Sequence, residues 1–430
     1  MPTDAELAVL DGVHDLARAG TLAADLGELV RIPSVTGSDA EADAQAWVAR
    51  RLERLEFDVD HWRMDLADLT ARPGFPGMEA QRHEAWGVAG VTSDADGDGP
   101  TLVLQGHVDV VPPGDRDRWA DDPFEPRVEL REGREVIVGR GACDMKAGVV
   151  AALAAVTALR SAGVRIIGRA AVHSVVGEED GGLGAFGTLA RGHTGDGCVI
   201  AEPTSGSIIS ATAGALTFRL EVPGLAVHGC WRADGVSAVE AFAPVQAALR
   251  ALERRRCADP DPLMASNRLA YPLSVGTVRA GDWASTVPDL LVAEGRYGVK
   301  IGEDPGAARA AFEDAVADAC AGNPWLRDHP VRVTWWGGQF ASGRLPEGSP
   351  LLPIVQRAWT DATRRPPPVA QGAPYGSDLR LYTAAGIPTL HLGPGDVRQA
   401  HTAGEFVPLG DVELVAGALA LTVLRFCGVR

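Results

Sequence analysis

At 430 residues, 46% of them hydrophobic, the chain can bury two cores, which excludes disordered and collagen-like classes. Its net charge of −17 is broken by no basic run, so neither nucleic acid nor an acidic membrane surface is an expected partner. No basic-then-apolar leader opens it, no stretch approaches the roughly 20 apolar residues of a membrane span, and six cysteines lie scattered without CxxC pairs; a cytoplasmic protein with free thiols is expected.

Taken in chain order, a short helix is predicted to end near Ile32-Pro33. Ala44, Trp47, Val48, Leu52 and Leu55 then mark an amphipathic helix between Gly37 and Phe57. Asp94, Asp96, Asp98 and Gly99 imitate the start of a calcium loop, but Gln105 stands where the closing glutamate belongs, so a surface hairpin is expected there. Apolar runs at Thr101 to Gln105 and Arg169 to Val176 read as strands, with a long Ala/Val/Leu helix from Lys146 to Arg160 between them. This alternation predicts an α/β sheet covered on both faces. Gly182, Gly184 and Gly187 spell GxGxxG, but Glu178, Glu179 and Asp180 would set three negative charges against a pyrophosphate, so no dinucleotide site is expected.

The middle of the chain reads differently. Strands are predicted at Leu216 to Val222, Leu273 to Val278, Leu291 to Val299 and Val331 to Trp336, with helices at Ser237 to Arg255 and Ala307 to Cys320. The order βαββαβ marks an independent unit. The α/β style then returns, with a strand at Ile387 to Leu392 and a last helix from Asp411 to Phe426. The expected division is residues 1–212 and 340–430 for one domain, with 213–339 inserted as a second.

His107, Asp144, Glu179, Glu202 and His401 each sit near a predicted transition from strand to loop. Imidazole nitrogens and carboxylate oxygens suit zinc and similar divalent ions, so the set reads as a site for two metals. In GHVDVVPPG, a strand-like backbone points His107 and Asp109 to one side, so Asp109 is expected to accept the proton of the second ring nitrogen. In GRGACDMKAG, Asp144 enters the Ala-rich helix, where it can serve as N-cap or bridge two cations. Glu178, beside Glu179 after a strand end, is placed to take a proton from an activated water. Glu202 in AEPT and His401 in AHTAGE complete the set, since parallel strands deliver their C-terminal loops to one edge.

The ordered motifs GHVDVVP, GRGACDMKAG, GEED, EPT and the late AH resemble the dinuclear zinc aminoacylase and carboxypeptidase family, which includes acetylornithine deacetylase and succinyl-diaminopimelate desuccinylase. That resemblance covers nearly the whole chain. It implies a mixed-sheet α/β catalytic domain of zinc exopeptidase type with an inserted ferredoxin-like α+β lid and dimerisation domain. It implies two divalent ions, zinc with cobalt or manganese as alternatives: His107 and Glu202 on one, Glu179 and His401 on the other, Asp144 shared. Glu178 becomes general base and proton donor, and a cis peptide falls at Asp144-Met145. On the lid, His228 in GLAVHGC corresponds to an oxyanion-stabilising histidine that acts on the partner subunit of a homodimer. Arg296 in EGRYG corresponds to an arginine that pairs with a substrate carboxylate. Ser285 stands near the place where many relatives have asparagine, so contacts around the substrate are expected to differ. The implied activity is hydrolysis of the amide of a small N-acyl amino acid or related amine. A dipeptidase or carboxypeptidase with the same metals is the alternative, and a non-catalytic binding protein of the same fold a remote one.

Overall fold

The structure is a computed structural model that describes residues 2–93 and 99–430. The hairpin expected at Asp94 to Asp98 falls outside these residues. The chain forms two compact units, Met1–Ser210 with Arg344–Gln371 and Leu381–Arg430, and Ala211–Gly343 with Gly372–Arg380.

The first unit is built on a mixed sheet. Its four central strands, in spatial order Arg169–Val175, Thr101–His107, Gly197–Pro203 and Thr389–Gly393, run parallel. Trp86–Thr92 joins the outer side of Arg169–Val175 antiparallel and carries Phe57–Arg63, while Ile208–Thr212 pairs antiparallel beyond Thr389–Gly393. All of Gly197–Pro203 is buried, as is Arg169–Val175 beyond its first residue. Burial on both faces explains why these strands read as continuous apolar runs rather than alternating ones.

The helix Ala147–Ser161 is apolar around its whole circumference because it is a core element, packed against Leu409–Cys427 and against several strands. Among the described residues it belongs to the one segment, Ala142–Ser161, long and apolar enough to cross a membrane, and 89% of that window is buried inside the protein. Its approach to the sheet is very close: a Cβ on Gly148 would lie 2.0 Å from the carbonyl oxygen of Ala201. Glycine at this position is what lets the turn before the helix sit beside the end of the strand that holds Glu202. The GxGxxG glycines are also used for packing. A Cβ on Gly184 would meet the Val176 carbonyl oxygen at 2.4 Å, and one on Gly187 would meet Met64 Sδ at 2.8 Å.

The second unit carries an antiparallel sheet in the order Leu273–Ala280, Leu290–Val299, Gly214–Pro223, Arg332–Phe340. With helices Ala238–Cys257 and Pro305–Ala321 the chain order is βαββαβ, and the fourth, first, third and second strands follow one another across the sheet, the ferredoxin-like arrangement. Phe218, Leu220, Phe242, Val245, Tyr297 and Phe312 form its core. Ser237 and Asp304 cap the helices, accepting from the N–H groups of Glu240 and Ala307.

Two core histidines make the first unit acid-sensitive. His173 and His391 lie in central strands, 1% and 0% exposed, and burial holds each imidazole down to about 3 from 6.5. Between these values each of the two histidines binds a proton in the unfolded chain and not in the folded one, so their contribution to stability falls as pH drops below about 6.5. Each histidine steepens that loss by up to about 1.4 kcal/mol per pH unit. His173→Gln is expected to flatten the dependence of urea-unfolding free energy between pH 6 and pH 4 relative to the parent chain; parallel dependences would refute this reading.

Candidate active site

Three parallel strands end on one edge of the sheet with functional side chains. His107 is the last residue of Thr101–His107, and Glu202 is the penultimate residue of Gly197–Pro203. Glu178 and Glu179 follow the strand that ends at Val175. Asp144 comes from the irregular turn Ala142–Lys146 at the mouth of the core helix, where its backbone is non-helical and the Asp144–Met145 peptide is cis. His401 lies in a turn beyond Thr389–Gly393, at φ 61. Of the five, His107 and Glu202 lie at the ends of their strands, Glu179 follows one, and Asp144 and His401 are carried by turns.

The side chains converge around Asp144. Its Oδ1 is 3.2 Å from His107 Nε2, which is also 3.5 Å from Glu202 Oε1. Its Oδ2 is 3.5 Å from His401 Nε2, which lies 3.2 Å from Glu179 Oε2. Candidate ligand atoms of His107, Glu178 and Glu202 lie within 4.8 Å of one another, as do those of His107, Asp144 and Glu179. His107 Nδ1 meets the backbone carbonyl of Asp109 at 2.8 Å. A carbonyl only accepts, so this nitrogen is assigned a proton, and Nε2 is the ring nitrogen that faces the carboxylates and would be offered to a cation. Both His107 Nε2 and Glu179 Oε1 are buried without a hydrogen-bond partner. Unpaired donor atoms of these types suit divalent cations.

Asp109 differs from the sequence expectation. Its carboxylate is 3.6 Å from His107 Nδ1, and the backbone carbonyl makes the short contact instead. The carboxylate accepts from the N–H groups of Glu178 at 3.3 Å and Glu179 at 3.4 Å and from the Thr36 hydroxyl at 3.0 Å. Asp109 therefore orients the ring through its main chain and fixes the Glu178–Glu179 turn through its side chain.

The electrostatics follow from the crowding. Burial raises Glu202 well above the usual carboxylate range, and neighbouring Asp144 adds to this against the pull of His107. Burial opposes ionisation of Asp144 too, but the imidazoles of His107 and His401 outweigh it and hold the group well down. Burial likewise disfavours the His401 imidazolium, yet Asp144 and Glu179 push it up to about 11. The field that draws protons onto the imidazoles also draws cations, and cation binding would displace those protons.

Residues outside the sequence-derived set support the cluster. Arg82, with a fully buried side chain, pairs with Glu41 at 3.1 Å and with Asp180 at 2.9 Å. Asp180 directly follows Glu179, so Arg82 grips the same turn from the other side. Glu405 accepts from the backbone N–H groups of Cys143 and Asp144. Glu405 lies within the quoted AHTAGE motif, but Arg82 lies in a loop without a motif and no sequence signal singles it out.

The remaining sequence candidates belong to the second unit. His228 is exposed; its Nδ1 accepts from the Cys230 N–H at 3.2 Å and caps the turn Gly229–Asp234. Exposed Ser285 lies beside it, its carbonyl accepting from the Gly229 N–H at 2.6 Å. Arg296 stands apart on Leu290–Val299, its guanidinium 5.1 Å from the centre of the Phe340 ring, and Arg380 approaches that ring at 4.0 Å.

Comparison with known proteins agrees with this architecture. Residues 103–425 match the model of Peptidase family M20/M25/M40. The chain is 32% identical over 412 residues to succinyl-diaminopimelate desuccinylase of Stenotrophomonas maltophilia, covering 93% of this chain and 97% of that protein. It is 26% identical over 395 residues to N-formyl-4-amino-5-aminomethyl-2-methylpyrimidine deformylase of Bacillus subtilis, covering 85% and 84%. A di-peptidase from Saccharomyces cerevisiae shares the fold, with a TM-score of 0.77 at 14% identity and 98% of each chain covered. With the family match spanning most of its length and the cluster lying within the matched residues, the chain belongs to peptidase family M20/M25/M40 and is a hydrolase of amide bonds.

Proposed function

We propose that the protein hydrolyses the amide of an N-acylated amino acid or related small N-acyl amine, with two divalent cations held by His107 and Glu202 on one side, Glu179 and His401 on the other, and Asp144 between them. The observation that carries this reading is the placement of Asp144, whose two oxygens face different imidazoles. Zinc is the expected metal, and the donor set also accepts cobalt or manganese. When bound, the cations polarise the amide carbonyl and acidify the attacking water.

Glu178 takes the proton of that water and returns it to the leaving nitrogen. Its support is positional: the side chain is buried beside His107 and Glu202, and its N–H is tied to Asp109. His228 stabilises the oxyanion from a partner subunit, and Arg296 with Ser285 holds the rest of the substrate. A substrate carboxylate is favoured by two guanidiniums, Arg296 and Arg380, on one phenyl ring of the same unit. A homodimer is favoured by the exposed edge strand Leu273–Ala280 and by Trp231 and Trp283, 65% and 73% exposed. Six free cysteines, one of them exposed, favour the reducing cytoplasm.

The deacylase reading is preferred to a dipeptidase because the relatives at 26% and 32% identity are a deformylase and a desuccinylase. The di-peptidase likeness supports the alternative through the fold alone. Metal-reconstituted protein screened against acyl-amino acids and dipeptides, and read by release of free amine, is expected to turn over the first panel faster. A reversed preference would establish the dipeptidase. Glu178→Gln should retain metal and lose about 10²–10⁴ in kcat; near-normal turnover would remove Glu178 from its role. His228→Ala should lower kcat by about 10²–10³ with a smaller change in KM, and a pure KM effect would contradict oxyanion stabilisation.

A further inference from the structure

The carboxylate of Glu405 is wholly buried and both its oxygens are engaged. Oε1 accepts from the N–H of Cys143 at 2.8 Å and of Asp144 at 3.0 Å, and Oε2 pairs with Arg140 at 2.5 Å. The Glu405 backbone carbonyl accepts from the Gly139 N–H at 3.0 Å. One residue later Phe406–Pro408 pairs antiparallel with Arg134–Val138. Arg140 is held in turn, 2% exposed, 5.3 Å from the Trp119 ring centre and with its N–H on the Pro123 carbonyl at 2.8 Å.

Glu405 thus grips residues 139–144 while standing four positions after His401 in the chain. Two segments remote in sequence, one presenting Asp144 and the other His401, are joined by backbone pairing, and the Glu405 carboxylate adds the direct hold on the Asp144 N–H. We infer that Glu405, neutralised by Arg140, is a positioning residue that sets Asp144 against His401 and thereby sets the affinity of the cluster for divalent cations. This rests on the metal-centre reading above. An amide in place of the carboxylate would still accept from the two N–H groups, but its NH₂ would face the Arg140 guanidinium, donor against donor. The Asp144 turn would then lose its fixed orientation. Orienting partners of this kind are worth about 10- to 100-fold in metal affinity.

The test is a titration of the chelator-stripped full-length chain with cobalt(II), followed by calorimetry and visible absorbance, with circular dichroism to establish folding. Glu405→Gln is expected to stay folded and to weaken cobalt binding about 10- to 100-fold. Arg140→Lys, which keeps the cation, should stay near the parent, and Arg140→Met should fall with Glu405→Gln. A folded Glu405→Gln chain that binds within roughly threefold of the parent would overturn the inference, being well below that range. Should Glu405→Gln fail to fold, the Arg140 pair decides: weaker binding by Met than by Lys supports the inference, and equal binding overturns it. A parent chain that binds no cobalt would overturn the metal-centre reading itself, an outcome distinct from failure of the positioning role.

Discussion

The organising constraint is the burial of acidic charge. Asp109, Asp144, Glu178, Glu179 and Glu202 meet at one edge of a largely apolar sheet, with two imidazoles, His107 and His401, described among them. Two carboxylates about 4 Å apart repel by roughly 4 kcal/mol at an effective dielectric of about 20. Such a cluster persists only with compensating positive charge. The protein supplies part of it from behind, through Arg82 beneath the Glu178–Glu179 turn and Arg140 beneath the Asp144 turn. Among the described residues, His107 Nε2 and Glu179 Oε1 are buried without a hydrogen-bond partner, though His107 Nε2 stands 3.2 Å from the Asp144 carboxylate. The arginines hold the frame, and the crowded carboxylate and imidazole atoms are of the types that a pair of cations would satisfy.

The scaffold makes this crowding affordable by restricting where it occurs. Parallel strands send all their C-terminal ends to one edge, so a few residues from each suffice to build the site. The close approach of the core helix at Gly148 brings Asp144 up to the end of the Glu202 strand. Asp109 contributes twice, with its carbonyl on the imidazole and its carboxylate on the neighbouring turn. In the cluster His107, Glu178 and Glu202 are buried and only His401 among the five proposed ligands is exposed, whereas His228, Ser285 and Arg296 are all exposed on the second unit.

Much of this was legible in the residues. Continuous apolar runs announced the central strands, the all-apolar helix from Lys146 announced a core helix, and the period of the middle segment announced βαββαβ. The candidate metal ligands stood out by their coincidence, since any one imidazole or carboxylate there has an ordinary structural explanation but parallel strands bring several such ends to one edge. What stayed hidden were choices among chemically equivalent partners. From spacing alone, the Asp109 carbonyl and carboxylate are both candidates for His107 Nδ1, and only the path of the backbone selects the carbonyl. Arg82 and Glu405 act across 98 and 261 or more positions of sequence, on Asp180 and on the Asp144 turn. Local pattern carries no trace of such distant pairings.

Everything proposed for the chemistry depends on the cluster holding two cations about a shared Asp144. Metal content of the purified full-length chain, reconstituted in zinc and measured by inductively coupled plasma mass spectrometry after removal of loosely bound ions, tests this most directly. Two equivalents per chain are expected for the parent, and loss of both tightly bound ions for Asp144→Ala. A parent chain with no bound metal, or an Asp144→Ala chain that retains two, would contradict it.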